Sequence, residues 1–268
     1  MDVTWLLAYL ALGAFAGFFA GLLGVGGGAI MVPILTSIFI WQGFPLTEVV
    51  HLALGTSMAA IIFTSISSLR AHHRHGAVVW TIVRQITPGI LLGAFLATFI
   101  AARVPTVPLT LFFALFITYV AVQMLLNIKP KAARELPGIA GMTGVGVGIG
   151  SLSSLVSIGG GTLSVPFMTW CNVKPHHAIG TSAAIGLPIS VAGTIGYLVN
   201  GWGHPGLPEY TLGFVYLPGL VLVTLVSTLV APIGAKLAHR LPVATLKRVF
   251  AGVLVLLVVK MLWGVLGS

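Results

Sequence analysis

The chain has 268 residues, 57% of them hydrophobic and only 6% charged, with a formal net charge of +9. Soluble domains carry about 25% charged residues, so a soluble enzyme or binding module is excluded; the chain reads as an all-α polytopic membrane protein with no separate soluble domain. The positive charge does not indicate nucleic acid, because Lys and Arg in the short loops of a membrane protein set its orientation.

The start, Met1-Asp2-Val3-Thr4-Trp5, has no basic n-region. The first apolar segment is therefore predicted to be retained as a membrane helix rather than cleaved. It runs from Trp5 to Leu23, about the length that crosses a bilayer. Gly13, Gly17 and Gly21 share one face of it, where small residues admit a neighbouring helix. Then comes Gly24-Val25-Gly26-Gly27-Gly28-Ala29-Ile30-Met31-Val32-Pro33. Three successive glycines are a poor helix interior, at roughly 1 kcal/mol each relative to Ala. In hydrocarbon, a broken backbone must find internal partners. Ala29 to Trp41 is apolar but only about two-thirds of a full span; the two pieces around the break either both cross or form a re-entrant hairpin, and the parity of the segments is the same in both cases. Val49 to Leu69 is the next span, opening with His51 and carrying Gly55-Thr56-Ser57. A loop is predicted over Arg70 to Gly76. Val78 to Ala102 spans with Pro88-Gly89 near its middle, Arg103-Val104-Pro105 turns, and Leu109 to Asn127 spans again. Lys129 to Glu135 is a polar linker.

After the linker the pattern restarts, which marks an internal repeat. Gly13, Gly17, Gly26, Gly27, Gly28 and Pro33 match Gly146, Gly150, Gly159, Gly160, Gly161 and Pro166. His51-x-Ala53-x-Gly55-Thr56-Ser57 matches His176-x-Ala178-x-Gly180-Thr181-Ser182. Pro88-Gly89 matches Pro218-Gly219, Arg103-Val104-Pro105 matches Arg240-Leu241-Pro242, and Val122 to Leu125 matches Val259 to Leu262. The division is residues 1–128, a linker over 129–137, and residues 138–268.

Equivalent loops swap their charge. Arg70, Arg74 and Arg84 flank one loop of the first half, while its counterpart, Asn200 to Tyr210, has no Lys or Arg and contains Glu209. Conversely, Arg103 stands alone where the second half has Lys236, His239, Arg240, Lys247 and Arg248. The positive-inside rule then puts equivalent loops on opposite sides. The expectation is two inverted-topology repeats of about five segments each, a common transporter plan, with helices broken at the Gly-Gly-Gly motifs. The N-terminus is expected outside; the Arg70 to Arg84 loop, the linker and the Arg240 to Arg248 turn are expected inside a bacterial cytoplasmic (inner) membrane.

At each break a second helical piece should begin just after the third glycine. Its first N–H groups are unpaired and carry partial positive charge, so such ends bind anions without a basic side chain. Gly26, Gly27, Gly28, Gly159, Gly160 and Gly161 are therefore candidate binding residues. Thr162 and Ser164 could add hydroxyl donors where the first copy has Ala29 and Met31. Gly55, Thr56, Ser57 and Gly180, Thr181, Ser182 form a second paired set. The competing reading of all these residues is tight helix packing with hydroxyls bonded to the preceding turn. His51 and His176 could carry a proton or bond an anion, or serve only at a helix end. The spans offer no carboxylate as a proton or sodium relay, which favours an anion over a cation.

His72-His73-Arg74-His75 lacks a Cys, Asp or Glu nearby and reads as a solvated loop rather than a metal site. No cofactor is expected. Gly144 to Gly150 resembles a dinucleotide loop but has no soluble βαβ context and reads as a packing helix. Cys171 is the only cysteine and cannot form an internal disulfide. The four acidic residues leave little material for acid–base catalysis, so no enzyme is expected.

The repeated Gly-Gly-Gly-x-x-x-Val-Pro, followed by Gly-Thr-Ser, resembles the TauE/SafE-type sulfite exporter family of bacterial membrane transporters over essentially the whole chain. The resemblance implies export or uptake of sulfite, an organosulfonate or a related sulfur-containing anion, bound at the glycine and Gly-Thr-Ser motifs named above. The residues alone lead to a small-anion transporter in a lipid bilayer; sulfur enters only through the resemblance. An anion channel and a non-transporting membrane assembly protein are the alternatives, and nothing in the sequence specifies a subunit count.

Overall fold

A computed structural model of the chain describes residues 2–23, 26–126, 134–238 and 243–267. Among them are ten helices: α1 (Val3–Leu23), α2 (Gly28–Trp41), α3 (Val49–Arg74), α4 (Trp80–Arg103), α5 (Thr106–Leu126), α6 (Ile139–Leu155), α7 (Gly161–Trp170), α8 (Pro175–Gly201), α9 (Leu217–Ala238) and α10 (Val243–Leu266). Seven of them are long and apolar enough to cross a membrane; α2, α6 and α7 are shorter. The protein is therefore an all-α polytopic membrane protein. Its one sheet feature among the described residues is a two-residue antiparallel ladder, Thr211–Leu212 with Val215–Tyr216, ahead of α9. Residues 127–133, covering most of the linker, and the Arg240-Leu241-Pro242 turn lie outside the described residues.

The loop expected over Arg70 to Gly76 is instead the end of α3. Nothing from Leu69 to Arg74 breaks a helix, and termination waits for Gly76, whose φ of 64° only glycine adopts freely. The basic side chains of this last turn suit the negative end of the helix dipole.

A glycine triplet follows a few residues after each of α1 and α6, and the next helix starts on its third glycine, Gly28 or Gly161. The 14 residues of α2 reach about 21 Å, and the 10 of α7 about 15 Å. Both turn back. The Tyr9 hydroxyl near the start of α1 donates to Gln42 Oε1 just past α2, at 2.8 Å. Arg134, ahead of α6, donates its N–H to the Trp170 carbonyl at the end of α7. Each pair is thus a hairpin that dips into the bundle and returns to the end it entered from.

The remaining helices run from end to end. Gly55, early in α3, lies against Phe214 and Tyr197, whereas Gly180, early in α8, lies against Ala77 just past α3. The two central helices are therefore antiparallel. Charge separates along this axis. Asp2, Glu48 and Glu209 lie with Arg103 and Lys260 at the end where α3 starts; Arg70, Arg74, Arg84, Arg134, Lys174 and Arg248 lie with Glu135 at the end where it finishes, so the excess of basic over acidic residues falls at the second end. We call these the acidic and basic ends.

Contacts recur in pairs. A Cβ on Gly13 or Gly17 of α1 would stand 2.6 Å from Val223 O or Ser227 O of α9. Gly146 and Gly150 of α6 meet Ile86 O and Ile90 O of α4 in the same way. The glycine-rich face of α6 is thus a packing face, as expected. The Thr56 hydroxyl accepts the Tyr216 N–H ahead of α9 at 2.9 Å, and the Thr181 hydroxyl accepts the Val79 N–H ahead of α4 at 2.9 Å. These pairs align Val79 with Tyr216 and Ile86 with Val223, which leaves Pro88-Gly89 out of register with Pro218-Gly219, the equivalence expected from sequence. Gly89 instead packs on Thr143 of α6, while Gly219 faces Tyr9 of α1.

Thr56→Val and Thr181→Val each strand one backbone N–H. Each is expected to destabilise the purified protein by about 1–3 kcal/mol, the cost of an unpaired buried donor. The losses should add in the double variant, since the sites are far apart. Thermal unfolding in detergent measures this; unchanged stability in both single variants would show that neither bond matters to the fold.

Candidate functional site

The two glycine breaks meet at the centre of the bundle. Gly26 and Gly27 adopt φ of 78° and 77°, so the first break turns through left-handed backbone. The second break turns through Ser157, with φ 48°, while its Gly160 is right-handed. A Cβ on Gly26 would lie 3.2 Å from Gly159 Cα, and one on Gly28 would overlap the Ser157 carbonyl oxygen. Only bare backbone allows this crossing.

On the basic-end side of the crossing is a cavity of about 80 Å³, space for several waters or one small oxyanion. Gly26, Gly159 and Gly160 line it, with Ser182 and Gly186 of α8 and Thr64, Ser65, Ser67 and Ser68 of α3. Its lining contains no carboxylate, and His72 is its titratable member. A wider depression beside it shares Ser67 and Ala71 and carries Arg70 and Arg74. Two guanidinium groups thus stand beside the cavity, while its interior offers neutral donors.

The Thr64 hydroxyl donates to Ile61 O at 3.1 Å and more weakly to Gly26 O at 3.4 Å; that of Ser182 donates to Ile179 O at 2.9 Å. Both hydroxyls must rotate to donate to a ligand. Ser65 Oγ makes no hydrogen bond among the described residues and faces Gly186. Its hydroxyl is available to a ligand without breaking a bond, as are those of Ser67 and Ser68 nearer the edge.

Of the residues named from sequence, Gly26, Gly159, Gly160 and Ser182 line this cavity. Gly27, Gly28, Gly161 and Thr162 stand in the breaks without lining it. Thr162 Oγ1 is buried with no partner, and Ser164 Oγ donates to Gly160 O. Gly55, Thr56, Gly180 and Thr181 instead sit where the two halves interlock, while Ser57 is fully buried beyond the crossing. His51 Nε2 lies 3.1 Å from both Ala101 O and Val104 O, with Glu48 at 3.8 Å from Nδ1, a position that ties α3 to the α4–α5 turn. His176 is exposed and stacks on His177 with ring centroids 3.9 Å apart. Neither His51 nor His176 reaches the cavity. Sequence reasoning missed Thr64, Ser65, Ser67 and Ser68; their signal was a hydroxyl run over the second half of an otherwise apolar span.

Residues 9–261 match the family described as Sulfite exporter TauE/SafE. The chain is 38% identical over 260 residues to a Haemophilus influenzae protein named "Probable membrane transporter protein", covering 96% of this chain and 98% of that one. It is 29% identical over 238 residues to the Bacillus subtilis "Probable membrane transporter protein YdhB", covering 86% and 89%. A Methanocaldococcus jannaschii protein described likewise as a membrane transporter is 26% identical over 254 residues, covering 91% of each. No solved structure matches the chain.

Proposed function

We propose, from the premise that this chain belongs to the sulfite exporter TauE/SafE family of membrane transporters, that it is a secondary transporter, working as an exporter, of sulfite or a related small sulfur-containing anion such as an organosulfonate. The observation that carries the reading is the cavity at the crossed breaks: two interrupted helices, a ring of hydroxyls and no carboxylate in its lining. The backbone N–H of Gly160, just ahead of α7, and the Ser65 and Ser182 hydroxyls provide neutral donors that suit an oxyanion. Broken helices meeting near the bilayer midplane are a common device for anion sites in transporters.

The paired contacts support two inverted repeats, α1 to α5 and α6 to α10, interlocked through Thr56 and Thr181. The charge separation supports a basic end facing the cytoplasm of a bacterial inner membrane. On this reading the cavity opens inward, and Arg70 and Arg74 raise the local anion concentration at its mouth.

The test is a binding screen of the purified protein against sulfite, thiosulfate, sulfate and small sulfonates. One of these is expected to bind. Replacing Ser65 and Ser182 by Ala should weaken that binding by about tenfold or more, as loss of hydrogen bonds to a charged ligand does. Arg84→Gln should leave it unchanged, because Arg84 is exposed on the first turns of α4. If Arg84→Gln abolishes binding and the serine variant does not, a basic side chain holds the anion and this reading is wrong.

A further inference from the structure

The contact pairs that relate the two halves also carry the cavity lining onto a second set of residues. Ala20 and Gly21 correspond to Ser153 and Ser154, by the spacing that relates Gly13 to Gly146. Ser182 and Ala183 correspond to Ser57 and Met58; Ser65, Ser68 and His72 correspond to Ser190, Gly193 and Tyr197, by the spacing that relates Gly55 to Gly180. This second set lies on the acidic-end side of the crossing. Tyr197 packs near Gly55 at the start of α3, and its hydroxyl donates to Ser154 O at 3.1 Å. A Cβ on Gly193 would lie 3.1 Å from Met58 Sδ and 3.2 Å from Ser154 Oγ. Ser57 stands one turn from Ile61, which touches Gly26 and Gly28.

Where the cavity has Ala183 and His72, this side has Met58 and Tyr197, both fully buried. Yet the hydroxyls of Ser57, Ser153 and Ser154 are buried, at 0% exposure, with no hydrogen-bond partner among the described residues. An unpaired buried hydroxyl is costly, and native structures carry few of them. Three such hydroxyls stand at positions that the relation between the halves carries over from Ala20, Gly21 and Ser182 of the cavity lining, where they are free to take a ligand.

We infer that Ser57, Ser153 and Ser154 form a second oxyanion station on the acidic-end side of the glycine crossing, closed in this structure by Met58 and Tyr197. The inference rests on the transporter reading above. The anion passes from the cavity, past the crossed breaks, to this station when Met58 and Tyr197 move aside. The three hydroxyls then donate to it, so they are unpaired only in the closed state.

Two measurements test this. In a Cys171→Ala background, Ser67→Cys marks the cavity mouth and Ser154→Cys the second station. A membrane-impermeant maleimide should label the two from opposite sides of vesicles of known orientation. Tyr197→Ala should speed labelling at position 154 and leave position 67 unchanged. Labelling of Ser154→Cys from the same side as Ser67→Cys, or from neither side, overturns the station. Separately, Ser57→Ala with Ser153→Ala should lower sulfite flux in proteoliposomes by about ten- to hundredfold, while thermal stability holds or rises because buried unpaired groups are gone. Unchanged flux overturns it, and so does lost flux accompanied by lost stability, which marks a structural role. Accessibility requires no anion, so if the unsubstituted protein binds none of the screened anions, the functional reading fails while opposite-side labelling still stands.

Discussion

Gly28→Ala is expected to abolish the folded protein. A single methyl group there would sit on the Ser157 carbonyl oxygen, 2.9 Å from the carbonyl carbon and 2.8 Å from Ile61 Cδ1. The Ile61 side chain can swing; the Ser157 backbone cannot, because Ser157 Oγ donates to Leu54 O at 2.9 Å and its φ of 48° is already confined. Over-packing a core typically costs about 1–3 kcal/mol, and more where only backbone can yield. At Gly28 the yielding element is the second break itself, so separating the two hairpins is the remaining relief. The measurement is the monodisperse yield of detergent-purified protein with its thermal unfolding. Gly252→Ala is the control, since nothing lies within 4 Å of a Cβ at Gly252 and the helix favours Ala. A Gly28→Ala protein as abundant and stable as the control would show that the breaks do not cross as described.

The glycine breaks were legible because three successive glycines are a poor helix interior, and their duplication at constant distance from Val-Pro gave the register of the first two helices in each half. That each pair of helices turns back was not legible, since the number of crossings before α3 keeps its parity either way. The 14 residues of α2 and 10 of α7 decide it, together with the bonds joining Tyr9 to Gln42 and Arg134 to Trp170. The Pro88-Gly89 equivalence failed for a physical reason. Proline and glycine are common in membrane helices, so one such dipeptide fixes no register, whereas Gly55 and Gly180 do so by admitting a neighbouring carbonyl.

The cavity lining was half legible. Gly26, Gly159, Gly160 and Ser182 were found through motif duplication. Thr64 to Ser68 were not, because this hydroxyl run has no duplicate: the corresponding stretch, Ile189 to Gly193, retains only Ser190. A hydroxyl within an apolar helix reads by default as bonded to the preceding turn, and Thr36, Ser37 and Thr110 do just that. Thr56 and Thr181 mislead in the opposite sense. Their duplication reflects two copies of one structural bond between the halves.

Transport should be lost, with the fold retained, in Gly186→Val. Gly186 lies in the middle of α8, and a Cβ there would point into the cavity, 3.1 Å from Ser65 Oγ and 3.6 Å from Gly160 N. Its nearest neighbour is the tip of a short side chain, not a carbonyl, so the added atoms displace a hydroxyl and leave the backbone in place. An isopropyl group then takes a large share of a space of about 80 Å³, covers the Gly160 N–H and turns Ser65 away from any ligand. The helix itself loses nothing, since glycine is a poorer helix residue than valine by a few tenths of a kcal/mol. Gly186→Ala should reduce sulfite flux in proteoliposomes only in part, and Gly186→Val should bring it to the level of empty liposomes. Both proteins should unfold within a few degrees of the parent, and a tightly packed membrane helix crossing would not give that result at Gly28. Parental flux in Gly186→Val would mean that the anion does not pass between Ser65 and Gly160, and the cavity would lose its role as the binding site.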